Sequence, residues 1–152
     1  MTATPVPPAP PLRPVAHGVP AYSQTLSLIP ASVALARTSA RTTLSCWGLD
    51  SLRDDVAVIV SELVTNAVQH AAPVAVADDP GRCRLTLERR SVDTVRIVVV
   101  DRSCRRLDRR RPGPDAEAGR GLAVVAGLAS RWGVTETRDG KQVWAELRVS
   151  GP

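Results

Sequence analysis

Glu62 and Asn66 stand four residues apart in the stretch Ser61-Glu62-Leu63-Val64-Thr65-Asn66-Ala67-Val68-Gln69-His70. A carboxylate can take a proton from a hydroxyl or a water. A neutral amide oxygen can ligate a hard cation that keeps most of its waters, as Mg2+ does. Such a pair on a helix edge commonly just faces solvent, so its meaning depends on what accompanies it. Asp101 closes the β-branched run Val95–Val100. A sheltered carboxylate there could accept from the exocyclic amine of adenine; the plainer reading is a strand-end turn residue. Gly119-Arg120-Gly121 precedes an apolar run, and small residues that open a helix let its amides approach an anion. Ahead of them lie Arg102, Arg105, Arg106, Arg109, Arg110 and Arg111, in a segment that could close over a triphosphate.

These groups can cooperate only if the chain folds to bring them together. Leu52, Val56, Ile59, Leu63 and Ala67 recur at helical spacing. This predicts a helix capped by Asp50 or Ser51 that runs to His70 or Ala71, with Glu62 and Asn66 aimed the same way at the edge of the apolar stripe. An earlier helix is expected from Pro30 to about Trp47, stopped by Gly48. Residues 1 to 24, with seven prolines, read as an extended, disordered tail ahead of a domain at 25 to 150. Thr25 to Leu28 suits an edge strand. Arg82 to Glu88 alternates as a half-buried strand, and Val95 to Val100 reads as a central one. Residues 102 to 118 read as a long loop, Gly119 to about Arg131 as a helix ended by Gly133. Val134 to Thr137 and Gln142 to Val149 form a hairpin across Asp139-Gly140. The expected fold is an α/β (α+β) two-layer sandwich, with helices on one face of a mixed, mostly antiparallel sheet.

Composition limits the function classes. The 152 residues carry a net charge of +5, and Lys141 is the only lysine, so the basic character is that of arginine. Arginine favours bidentate contact with phosphates or carboxylates. Cys46, Cys83 and Cys104 are too few and too scattered, with only His17 and His70, to build a zinc site. A sparse, odd cysteine count suits reduced thiols and a cytoplasmic setting. No run approaches a membrane span, and the N-terminus lacks a signal-peptide pattern. The arginine run raises nucleic-acid binding, but no groove-reading helix module or aromatic stacking platform accompanies it.

The order of Glu-x-x-x-Asn helix, strand-end Asp, Arg-rich loop, Gly-x-Gly-Leu helix and terminal hairpin resembles the GHKL ATPase superfamily. Within it, the wording of residues 61–70 resembles the anti-sigma-factor serine kinases (histidine-kinase-like ATPases) of actinomycetes. So do Trp47-Gly48-Leu49, Gly119-Arg120-Gly121-Leu122, Arg131-Trp132-Gly133-Val134 and Gly140-Lys141 before Val143-Trp144. The resemblance covers roughly residues 25 to 149. It implies a Bergerat-type ATP-binding fold and a Mg-ATP-dependent protein serine/threonine kinase acting in transcription regulation. Its partners would be a sigma factor and an anti-anti-sigma protein. Members often dimerise, and the helix at 31 to 47 could supply a homodimer interface. Glu62 would be the general base and Asn66 the Mg2+ ligand. Asp101 would take the adenine amine. Gly119, Arg120, Gly121 and Leu122 would line the phosphate end, with Arg105 or a neighbour reaching a phosphate.

The family's first glycine box is Asp-x-Gly-x-Gly; here it is Asp101-Arg102-Ser103-Cys104-Arg105, both glycines being replaced. Ser103 is small enough to substitute. The place near adenine where kinases of the family often carry Thr holds Lys141. Two readings stay open: a kinase, favoured by the presence of Glu62 and Asn66, and a binding module of the same fold that sequesters a partner, favoured by the lost glycines. A histidine kinase proper is disfavoured, because no dimerisation helix pair with a phospho-acceptor His precedes the domain and His17 lies in the tail.

Overall fold

The computed structural model describes residues 19–71, 80–101, 115–137 and 140–151. Among the described residues, five strands and three helices form the order β1 (Ala21–Ser27), α1 (Ala31–Cys46), a 3-10 turn (Asp50–Leu52), α2 (Arg53–Ala71), β2 (Arg82–Arg89), β3 (Thr94–Asp101), α3 (Asp115–Leu128), β4 (Arg131–Thr137) and β5 (Gly140–Arg148). The sheet order is β1-β2-β3-β5-β4, and every neighbouring pair is antiparallel. This is the expected two-layer α+β sandwich, with β1 at an edge and β3 at the centre.

Each helix is shaped by its apolar spacing. In α1, Ser32, Ala36, Ala40 and Leu44 recur every four residues and are the buried ones, a narrow small-residue stripe that lets α1 lie close along α2. Gly48 stops α1 as expected, at φ 70°. The Leu49 amide donates to the Leu44 carbonyl at 2.9 Å and the Gly48 amide to Ser45 at 3.1 Å. These two bonds are the Schellman pattern, and Leu44 and Leu49 both enter the core beneath it. α2 buries Val56, Ile59, Val60, Leu63 and Val64 completely or nearly so and packs on β3 and β5, with α3 along its flank. The opposing sheet face supplies Cys83, Leu85 and Leu87, then Val95, Ile97 and Val99, then Val143, Ala145 and Leu147. Each set advances by two, the period of a pleated strand.

The other sheet face is closed differently. Trp144 is 2% exposed and stands opposite Val98 in β3 and Gly133 in β4. Arg96 lies over its ring at 4.6 Å and Arg131 at 5.7 Å. Glu146 holds both guanidinium groups, at 3.0 Å and 3.4 Å. The arginines thus roof an aromatic ring by cation–π contact while their charge is matched locally. Gly133 leaves room for that ring: a Cβ at 133 would lie 2.8 Å from Trp144 Nε1 and 3.0 Å from Cε2 and Cζ2. A buried indole wedged by two arginines has little freedom to retreat. Gly133→Ala is therefore expected to destabilise the fold by about 1–3 kcal/mol, read as a lower midpoint in urea with circular dichroism.

Four expectations need correction. β1 begins at Ala21, so Ala21–Gln24 belong to the sheet and not to the tail. α3 begins at Asp115 and ends at Leu128, which removes 115–118 from the expected loop. Gly133 is a strand residue beneath Trp144 and not the end of a helix. In the final hairpin Thr137 pairs with Gly140, so Gly140 starts β5 instead of sitting in the turn. No described helix is long and apolar enough to cross a membrane.

Candidate functional site

The candidate residues lie on α2, which packs against α3 and over β3, and at the end of β3. α2 positions Glu62 and Asn66 one turn apart. Leu63 and Ala67, each one residue further on, are buried and fix the rotation of the helix. Asn66 is 6% exposed although polar, while Glu62 is half-buried. The surface facing them is Gly121 of α3, itself buried. A Cβ at 121 would lie 2.8 Å from Glu62 Oε2 and 3.8 Å from Asn66 Oδ1. Three residues singled out from two separate stretches of sequence therefore meet, and glycine is what allows the approach. Leu122, next along, packs against the core cluster, whereas Arg120 is exposed.

Gly119-Arg120-Gly121 does not open a helix as expected. The three lie at the fifth to seventh positions of α3, where backbone amides are already used within the helix. Gly121 acts here through its missing side chain, by close packing on Glu62 and Asn66, and not through a free amide at a helix start. Ser103 and Arg105, with the rest of the arginine run, lie outside the described residues.

Asp101 is 2% exposed. Its neighbours across the sheet are Cys83 in β2 and Lys141 in β5, and Lys141 in turn faces Glu136 in β4. Directly opposed residues of antiparallel strands share a face. That face is the helix-covered one, since Cys83 belongs to the core and Lys141 is in step with Val143, Ala145 and Leu147. Burial pushes the Cys83 thiol up to about 11, with the Asp101 charge adding to the rise, so it is a protonated, unreactive thiol near neutral pH. Burial also lowers the pKa of Lys141 from the ordinary lysine value, while the charges of Asp101 and Glu136 oppose the fall. The row thus carries an acceptor-only group beside a donor-only group, both partly withdrawn from water. Sequence reasoning left Lys141 without a role. Its opposition to Asp101 depends on strand register, which the sequence signals only indirectly through hairpin length.

The donor set fits a magnesium–nucleotide group. A buried amide oxygen and a neighbouring carboxylate are hard oxygen donors, and the cradle at Gly121 is one that a methyl group would fill. Among the described residues, no cluster of three or more His, Cys, Asp or Glu is gathered for a metal held by protein alone; Mg2+ bound with a nucleotide needs none.

A family model for the histidine kinase-like ATPase domain matches residues 26–147. In fold the chain is similar to the crystal structure of the RsbU and RsbW domains of Rv1364c from Mycobacterium tuberculosis, with a TM-score of 0.65 and 23% identity over 88% of this chain. It spans 33% of that longer chain, and at that identity the likeness is one of fold. No curated protein matches the chain.

Proposed function

The chain belongs to the histidine kinase-like ATPase family, and on that premise we propose that it is a Mg-ATP-dependent anti-sigma regulator that phosphorylates a serine of an anti-anti-sigma antagonist. The observation that carries this reading is the meeting of Glu62, Asn66 and Gly121 between α2 and α3. Asn66 would hold Mg2+ through its buried amide oxygen. When bound, Mg-ATP supplies the phosphoryl group and an ion that offsets its charge. Glu62 accepts the proton of the serine hydroxyl, leaving an oxygen able to attack. Asp101 would accept from the adenine amine, and Leu122 would line the phosphate end. The sigma factor would dock on a separate surface. The added phosphate would release the antagonist by placing charge at its interface. The outer face of α1, where Leu35 is 53% exposed, is the surface for self-association in this reading.

A partner-sequestering module of the same fold is the second reading. It is favoured by the replacement of both glycines after Asp101 and by α3 lying directly against Glu62. Calorimetric titration with ATP, with and without Mg2+, separates the two. Saturable Mg2+-dependent binding supports the nucleotide site; no heat at millimolar ATP supports the sequestering module.

The glycine gives a sharper test. Glu62 is a flexible side chain, so Gly121→Ala can be accommodated by swinging its carboxylate away. We expect little change in melting temperature but a loss of phosphotransfer on the order of a hundredfold, because a displaced base no longer meets its proton. A variant that transfers phosphate normally would separate Gly121 from the chemistry.

A further inference from the structure

We propose that the outer edge of β1 pairs antiparallel with β1 of a second copy of this chain, about a twofold axis at Gln24, joining the two sheets into one. This specifies the self-association assigned above to α1 and is independent of nucleotide binding.

Backbone alternation leaves one side of β1 open. Among the described residues β1 ends the sheet and pairs with β2 alone. Just beyond its ends, the Arg89 amide donates to the Pro20 carbonyl at 2.9 Å and the Leu28 amide to the Gly81 carbonyl at 3.0 Å. The register between them is unbroken from Ala21 to Ser27. The even-numbered residues therefore bond to β2, and Ala21, Ser23, Thr25 and Ser27 turn their amides and carbonyls outward. The Ser27 carbonyl accepts from the Ile29 amide at 2.8 Å, which closes that end of the edge. Open edges are commonly defended by charge or proline. β4, the other edge, carries Arg131 and Glu136. β1 carries neither kind of defence, and no charged residue occurs from Ala21 to Ala36.

The sequence of β1 is complementary to itself. With Gln24 opposite Gln24 of the second copy, Ser23 meets Thr25 and Thr25 meets Ser23, each pair exchanging both backbone bonds. On the open face of the sheet this sets hydroxyl beside hydroxyl. On the face covered by helices it sets Tyr22, which packs on the core, beside Leu26. Gln24 falls at a non-hydrogen-bonded pair, where two strands bring their side chains closest. Its Oε1 is buried and has no hydrogen-bond partner among the described residues, while the residue as a whole is half-buried, so its amide can turn to the edge. At the axis each amide donates an N–H to the Oε1 of the other, which removes the cost of a buried, unpaired carbonyl. A twofold axis also sets residues near it against their own kind, so self-pairing favours a stretch free of charge.

The flank of α1 continues this surface. Arg37 and Arg41 reach toward α2, to Ser61 at 3.5 Å and Asp54 at 3.7 Å. Leu35, Thr42 and Cys46 lie on the opposite flank by helical spacing, on the β1 side of the helical layer, and all three are exposed. That flank is as uncharged as the strand below it, so two copies can lie side by side over the joined sheets.

Residue-resolved amide exchange on the full chain, followed with sedimentation mass over a range of protein concentrations, tests the pairing. Protection of the Ser23 and Thr25 amides should rise roughly tenfold or more as the dimer forms, whereas Gln24 and Leu26, bonded to β2, should be protected throughout. Gln24→Lys and Gln24→Glu each place like charges on the axis and should weaken association by roughly a hundredfold; mixing the two should restore a heterodimer. Thr25→Pro removes an outward N–H and leaves the β2 ladder intact, so it should be monomeric with an unchanged circular dichroism spectrum. An unmodified protein that stays monomeric at the highest concentration reached overturns the assignment. So does a dimer in which the Ser23 and Thr25 amides exchange freely, or one that Leu35→Asp dissociates and the Gln24 variants do not, which would place the interface on α1 alone. Calorimetric titration of the same variants with Mg-ATP reads the nucleotide site separately, so loss of either reading is distinguishable from loss of the other.

Discussion

Asn66→Ala is expected to abolish Mg2+-dependent ATP binding, with a loss of at least about a hundredfold in affinity, roughly 2.7 kcal/mol or more. Asn66 is 6% exposed and carries the amide oxygen nearest to Gly121 after the Glu62 carboxyl group. Mg2+ keeps several waters and takes few protein ligands, so each one it takes matters. Alanine removes that ligand without disturbing the apolar stripe, whose neighbours Leu63 and Ala67 stay in place. Helix content and melting temperature should therefore change little. Titration with ATP in the presence and absence of Mg2+ reads the difference. If the variant keeps its Mg2+ dependence, the ion is held elsewhere and the role of Asn66 is wrong.

Glu62→Gln should give the opposite split. The amide keeps the size of the carboxyl group and its packing against Gly121, so ATP should still bind. It cannot accept the serine proton, and transfer should fall by about a hundredfold to ten-thousandfold. Radiolabelled ATP, followed both as transfer to a serine-bearing antagonist and as release of inorganic phosphate, measures this directly. Transfer at the unmodified rate would mean that another group takes the proton. The two variants together separate holding the nucleotide from using it, a distinction that a sequestering module would not show.

The parts of the molecule legible in sequence are those specified by local periodicity. α2 is read from Val56, Ile59, Leu63 and Ala67, and because Glu62 and Asn66 keep a fixed phase to that stripe, their common direction is read with it. β3 is read from its β-branched run, and Gly48 from its place after an apolar helix. What local pattern could not supply was register and partner. Gly133 looked like a helix terminator because glycine interrupts both helices and strands; its reason is Trp144, eleven residues later and across the hairpin. The start of α3 was masked by Pro112-Gly113-Pro114 on one side and Gly119 on the other, although Asp115-Ala116-Glu117-Ala118 between them is good helix-starting sequence. Nothing within a few residues of Lys141 indicates that it faces Asp101; that opposition is set by strand register.

Gly133 also has a bearing on folding fidelity. A β-hairpin can zip in alternative phases, and a slip by one residue turns every side chain to the wrong side of the sheet. Of the seven residues of β4 only Gly133 lacks a side chain, and it is the one opposite the largest residue of β5. A shift in either direction would bring Trp132 or Val134 against Trp144, and a shift by two would bring Arg131 or Thr135. In the observed register the indole occupies the place that a Cβ at 133 would take. The glycine is thus a phase marker: the alignment that sets it against Trp144 also brings Glu136 beside Lys141 and keeps the row of Asp101, Lys141 and Glu136 in order. The glycine and the indole that mark this phase lie on the face of the sheet away from the helices.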